Sequence, residues 1–137
     1  MNRNQLEEKI HKSASAVLAE NGYISPIDVL IKMDRLTVKQ VEDWRFKRTD
    51  YLERAINLNL AKLNHFLQAL KKYAKEQNLK PSITVYKSWG KGAKKTLRFS
   101  KTGKPNMEKL YSTLYVKQSG KKEKPNIKQE ENQKSSL

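Results

Sequence analysis

The stretch Leu79-Lys80-Pro81-Ser82-Ile83-Thr84-Val85-Tyr86-Lys87-Ser88-Trp89 decides the fold class, because helical periodicity ends there. Pro81 lacks an N–H and its ring clashes with a preceding helical turn, so a helix cannot run through it. Ile83 to Trp89 is rich in β-branched and aromatic residues, which suit an extended strand. Gly90-Lys91-Gly92-Ala93-Lys94-Lys95 then reads as a loop. Thr96-Leu97-Arg98-Phe99-Ser100-Lys101 alternates, with Leu97 and Phe99 on one face and Arg98 and Ser100 on the other. The two runs predict a β-hairpin over 83–101 with a basic tip.

Upstream, the pattern is helical. Leu6, Ile10, Ala14, Val17 and Leu18 recur at helical spacing between Asn4 and Asn21, and Gly22 is placed to cap the end. Ser25-Pro26-Ile27-Asp28 combines an N-cap, a first-turn proline and an acid at the positive end of the dipole, opening a short helix to about Met33. After Asp34-Arg35-Leu36, the run Thr37-Val38-Lys39-Gln40 has capping-box form and opens a third helix through about Lys47. Asp50-Tyr51-Leu52-Glu53 resembles another start signal, which predicts a long fourth helix from Tyr51 to Gln77. Its seam of Ile56, Leu60, Leu63, Leu67, Leu70 and Ala74 packs against the first three helices or, as a homodimer through 56–74, against a copy of itself.

Downstream, Thr102-Gly103-Lys104-Pro105-Asn106 is a turn, with Asn106 as a cap. Met107, Leu110, Tyr111 and Leu114 keep helical spacing, although Tyr111 to Val116 also suits a third strand; the reading leans to a short terminal helix. From Gln118 onward Lys, Glu, Gln, Asn and Ser dominate, a composition that buries too little surface to offset its ordering entropy. The expectation is a mainly α, α+β chain. A single domain over 1–117 holds four helices, the basic hairpin and the short helix, and a disordered tail follows over 118–137.

Charge is unevenly spread. The chain carries +15, yet Lys71 to Lys117 holds thirteen cations against only Glu76 and Glu108, which leaves the helical half nearly balanced. Six of the eleven aromatics lie in the same stretch: Tyr73, Tyr86, Trp89, Phe99, Tyr111 and Tyr115. One-signed charge interleaved with flat rings is what a polyanion-binding surface needs. Cations displace condensed counterions from phosphates, and rings can stack on exposed bases. The absence of cysteine excludes disulfides, thiolate metal sites and cysteine nucleophiles. The polar N-terminus shows no secretory signal and no run approaches the length of a membrane span, so a cytoplasmic protein is expected.

Two candidate nucleic-acid-binding sites follow. The basic helix end and hairpin supply Lys71, Lys72, Lys75, Lys87, Lys91, Lys94, Lys95, Arg98, Lys101 and Lys104. Gly90 and Gly92 would let the backbone turn its N–H groups toward an anion. The spacing is not that of a nucleotide-binding P-loop. The other candidate is a helix-turn-helix over Ser25 to Arg48, with Lys39, Arg45, Lys47 and Arg48 as contacts. Glu42 and Asp43 weaken it, since acids on a groove-reading helix repel phosphate, and Trp44 and Phe46 read equally well as packing residues. Trp89 is assigned to the core, which leaves any base stacking to Tyr86, Tyr111 or Tyr115.

No catalytic residue, metal site or cofactor is read from the sequence. A metal-dependent nuclease needs converging carboxylates, and the basic stretch offers two acids only. A metal-free ribonuclease, toxin or processing enzyme, would rest on His65. A third class is a helical protein-interaction adaptor whose basic face docks an acidic partner. The expectation is non-catalytic binding of DNA or RNA, dominated by the phosphate backbone.

The runs Val41-Glu42-Asp43-Trp44-Arg45-Phe46, Tyr51-Leu52-Glu53-Arg54, Trp89-Gly90-Lys91-Gly92 and Leu97-Arg98-Phe99-Ser100-Lys101 resemble an uncharacterised group of small bacterial proteins. The likeness spans about residues 20–117 and implies one domain containing both helices and hairpin. It implies no activity and no site residues.

Overall fold

The computed structural model describes residues 2–118. The predicted tail thus lies outside the described residues apart from its first position, Gln118. Among the described residues five α-helices and a three-stranded antiparallel sheet form an α+β fold.

Helix α1 spans Arg3–Asn21, opened by a reciprocal Asn2–Gln5 capping box and closed by Gly22 in the left-handed region at φ 79°. Gly22 donates its N–H to Leu18 O at 2.8 Å. Strand β1, Tyr23–Ile24, leads directly into α2, Pro26–Lys32, whose N-cap Ser25 accepts from the Asp28 N–H. Helix α3, Val38–Arg45, begins with the Thr37–Gln40 capping box that the sequence announces.

The fourth helix differs from expectation. The segment expected to open it forms only a 3-10 turn at Leu52–Arg54, and α4 runs Leu60–Glu76 from an Asn59 N-cap. The cause is competition for backbone donors. Leu52 N and Glu53 N donate to Arg98 O and Phe99 O, and Asn57 N donates to Arg35 O, so these amides are bound outside any helix. The seam survives from Leu63 onward. Leu63, Leu67, Leu70 and Ala74 are buried within the chain, with α4 packed on α1, while Leu60 is exposed.

The sheet has order β1-β3-β2, with β2 at Lys80–Ile83 and β3 at Thr113–Val116. Ile24 faces Tyr115 in one register, and Pro81 faces Tyr115 in the other. Pro81 is tolerated because β2 is an edge, where a missing N–H costs no ladder bond. Residues 105–116 resolve the open choice between helix and strand by using both. Helix α5 spans Pro105–Ser112 with Lys104, not Asn106, as its N-cap, and β3 follows without a gap.

The expected hairpin is also corrected. Neither Ile83–Trp89 nor Thr96–Lys101 is a strand beyond Ile83. Their arms meet at one bridge, Lys87 with Thr96, flanked by Ser88 N to Lys95 O and Leu97 N to Tyr86 O, both 2.8 Å. The arms pair instead with the rest of the domain. Trp44, Phe66, Phe99 and Tyr111 are fully buried, and Phe99 stacks flat on Tyr111 at 5.1 Å while Trp44 lies 4.9 Å away.

Candidate nucleic-acid interface

The C-terminal end of α3 and the 86–97 loop form one unit. Trp89 N donates to Arg45 O, and an Arg45 guanidinium nitrogen donates to Lys87 O, both at 2.8 Å. That guanidinium lies against Tyr86 at 4.8 Å and Trp89 at 5.0 Å from the ring centroids. A cation held over aromatic faces is attracted by the ring quadrupoles. Burial pushes the Arg45 pKa down from its ordinary value, the ring environment replacing part of its hydration. The two sequence candidates, α3 and the basic loop, are thus a single surface.

The loop is closed at its base. Buried Ser88 accepts from Lys95 N at 3.0 Å, and Lys87 Nζ donates to Thr96 Oγ1 at 2.9 Å. At the tip, Lys94 Nζ donates to Gly90 O at 2.9 Å. Gly90 and Gly92 have φ of 99° and 92°, the left-handed region that an L side chain rarely enters.

The segment beyond the loop is fixed by two acids. Glu108 accepts from Phe99 N, Ser100 N and Ser100 Oγ at 2.9, 2.7 and 2.7 Å. Glu53 accepts from Lys101 N at 3.1 Å and from the Tyr111 hydroxyl at 2.9 Å. Burial first, and the adjacent Glu53 carboxylate second, push the Tyr111 pKa well up, so this phenol stays a donor. Glu108, an acid of the basic stretch, is therefore committed to backbone amides.

All ten predicted loop and helix-end cations are exposed. Among the described residues none of the ten is in an ion pair; the five pairs all lie between Glu7 and His65. They do not form one continuous face. Lys71 and Lys75 join Lys109 around a groove of about 710 Å³ floored by Ala74, Leu79, Ile83, Leu110 and Tyr115. Lys101 and Lys104 line a separate hollow with Tyr51, Arg54 and Met107. Lys87, Lys91, Lys94 and Lys95 line neither and belong to the loop beside α3.

The helix-turn-helix contacts fare differently. Lys39 and Arg48 both pair with Asp43, at 2.8 and 3.1 Å, and the Lys39 bond foremost holds Asp43 below the usual carboxylate range. Arg45 is committed to its rings. Lys47, at φ 65°, is exposed just past the helix end. His65 sits 3.5 Å from Glu7 and lines a small hollow with Arg3 and Lys62. Among the described residues no group of three or more His, Cys, Asp or Glu is placed to hold a metal ion.

The aromatic assignments reverse. Tyr111 and Tyr115, proposed for stacking, are buried, whereas Trp89, assigned to the core, is 44% exposed and packs edge-on against Phe46, itself 41% exposed. The signal was present in the spacing. Period-two alternation pairs Tyr86 with Ser88 and Lys87 with Trp89, and Tyr86 packs on Trp44 and Phe99, so Trp89 points away. Two positions on a helix differ by about 200°, so Phe46 cannot share the core face of Trp44.

No family model matches the chain, and neither a curated protein nor a solved structure matches it.

Proposed function

We propose that this chain is a non-catalytic nucleic-acid-binding protein whose contact is dominated by phosphate. One observation carries the reading: among the described residues the cations of the 86–98 segment are exposed and without ion pairs, while Lys32, Lys39, Arg48 and Arg54 of the helical half are paired with acids. An unpaired lysine keeps its full attraction for phosphate, and the counterions released on binding supply the free energy. The ordered loop supports it further, since Lys87, Lys91, Lys94 and Lys95 are carried on a closed scaffold. A cytosolic location is part of the same proposal. Among the described residues no helix is long and apolar enough to cross a membrane.

The test is a salt titration on a fluorescent duplex. About five engaged cations give a slope of log affinity against log salt near −4 to −5. Replacing Lys91, Lys94 and Lys95 together with Gln should lower the slope by about two to three. Absence of binding at low salt, or a flat response, ends the proposal.

A second reading is favoured by the groove beside α4. Its apolar floor and its rim of Lys71, Lys75 and Lys109, with no acid among its lining residues, fit an acidic protein segment. Under that reading Lys71→Glu with Lys75→Glu abolishes capture of an acidic partner and leaves the loop's oligonucleotide affinity unchanged.

A further inference from the structure

We infer that Phe46 and Trp89 form a platform on which an unpaired base stacks, so that the chain prefers single-stranded nucleic acid to duplex. The inference rests on the phosphate-binding reading above and adds the ligand class. Exposed aromatic side chains taken singly are ordinary on protein surfaces. Here two are adjacent, 41% and 44% exposed, with ring centroids 5.6 Å apart at 78°.

Both rings are held before any ligand arrives. The Trp89 backbone is fixed through its amide N–H to Arg45 O, and its ring rests against the Arg45 guanidinium, which is itself bonded to Lys87 O. Phe46 lies under the loop tip, where Gly90 approaches it; a Cβ added at Gly90 would sit 3.6 Å from the Phe46 ring. Arg48 lies 5.0 Å from the other partner, Phe46. A pair fixed this way loses little side-chain freedom on binding, which removes one of the main costs of association.

The surroundings select the occupant. Residues 39–48 and 86–98 carry nine cations against two acids, Glu42 and Asp43, and Asp43 is already paired with Lys39 and Arg48. An apolar ring pair in such a field suits a ligand that combines flat faces with phosphates. Duplex bases are already stacked on each other and present only edges in the grooves, whereas a single strand can turn a base face outward.

The experiment uses the full chain with a 12-nucleotide oligo(dT), and a 12-base-pair duplex as the competitor. Trp44 is fully buried, so quenching of exposed indole emission reports Trp89. The expected result is tighter binding to oligo(dT), with quenching. Trp89→Ala or Phe46→Ala should weaken oligo(dT) binding about ten-fold or more, the loss of a stacked base, while duplex affinity stays within about two-fold. Trp89→Tyr, which keeps a ring and guards against a folding artefact, should retain most of the affinity. Equal weakening of both ligands, or none, overturns the platform; if Lys91, Lys94 and Lys95 substitutions still weaken both ligands, the phosphate reading survives alone. Binding to neither oligonucleotide at low salt ends both, and capture of an acidic peptide at Trp89 instead would reassign the ring pair to protein recognition.

Discussion

The indole N–H of Trp44 donates to the carbonyl of Arg98 at 2.8 Å, joining positions 54 residues apart. This bond ties α3 to the far arm of the basic loop, and the ring packs on Phe99 beside it. Trp44→Phe keeps most of the ring but removes the donor, leaving Arg98 O with only the 3.3 Å bond from Leu52 N. The expected loss is about 1–2 kcal/mol of unfolding free energy, measured by urea denaturation, because a part-buried acceptor loses the shorter of its two bonds.

Glu108 is expected to be a structural residue. Its carboxylate binds two amides and one hydroxyl of Phe99 and Ser100, and charge-assisted bonds are the stronger kind. Glu108→Ala should cost about 2–4 kcal/mol, and Glu108→Gln, which keeps one acceptor, should cost clearly less. A stability equal to that of the native chain in Glu108→Ala would show that the carboxylate does not hold this turn.

Tyr111 gives the chain an alkaline limit. Its pKa is raised in the folded state, so its stabilising contribution is complete below the unfolded value near 10 and is lost as pH rises beyond that value. Tyr86 and Tyr115 are raised too, each chiefly by burial, and act in the same direction. Tyr111→Phe should be less stable near neutrality by about 1–2 kcal/mol, through loss of the bond to Glu53. Between about pH 9 and about pH 11 it should lose less stability than the native chain, because one of three raised phenols is gone. Urea midpoints at the two pH values check the sign.

The start of α4 distinguishes two caps. Asn59 Oδ1 accepts from Lys62 N at 2.9 Å, whereas Asp50 makes only a 3.7 Å exposed pair with Arg54. Asn59→Ala should lower stability by about 1 kcal/mol, and Asp50→Ala by less than about 0.5 kcal/mol. The reverse order would return the helix start to Tyr51.

Local signals proved the most legible. Gly22, Ser25 with Pro26, and the Thr37–Gln40 box act through bonds spanning three or four residues, so the sequence carries both partners. Tyr51 to Leu58 misled for the opposite reason. It has a start signal and helical apolar spacing, but its Leu52, Glu53 and Asn57 amides bond to Arg98, Phe99 and Arg35. In the candidate site, the cations and their freedom from nearby acids could be read along the chain. The Phe46–Trp89 contact could not, because it joins a helix end to a loop more than forty positions later.

By itself the sequence determined the class of fold, the boundaries of its first three helices and the concentration of positive charge after Lys71. Those depend on side-chain type, short-range hydrogen bonding and composition. Tertiary structure alone decided where that charge is displayed: around one groove, one hollow and one closed loop. It also decided which rings are buried. Tyr111 goes inside because Phe99 and Glu53 receive it, and Trp89 stays outside because Tyr86 and Ser88 occupy the inner face of the same arm. Alternation says that two faces differ, but only the packing of Trp44, Phe99 and Tyr86 determines which of them is the core.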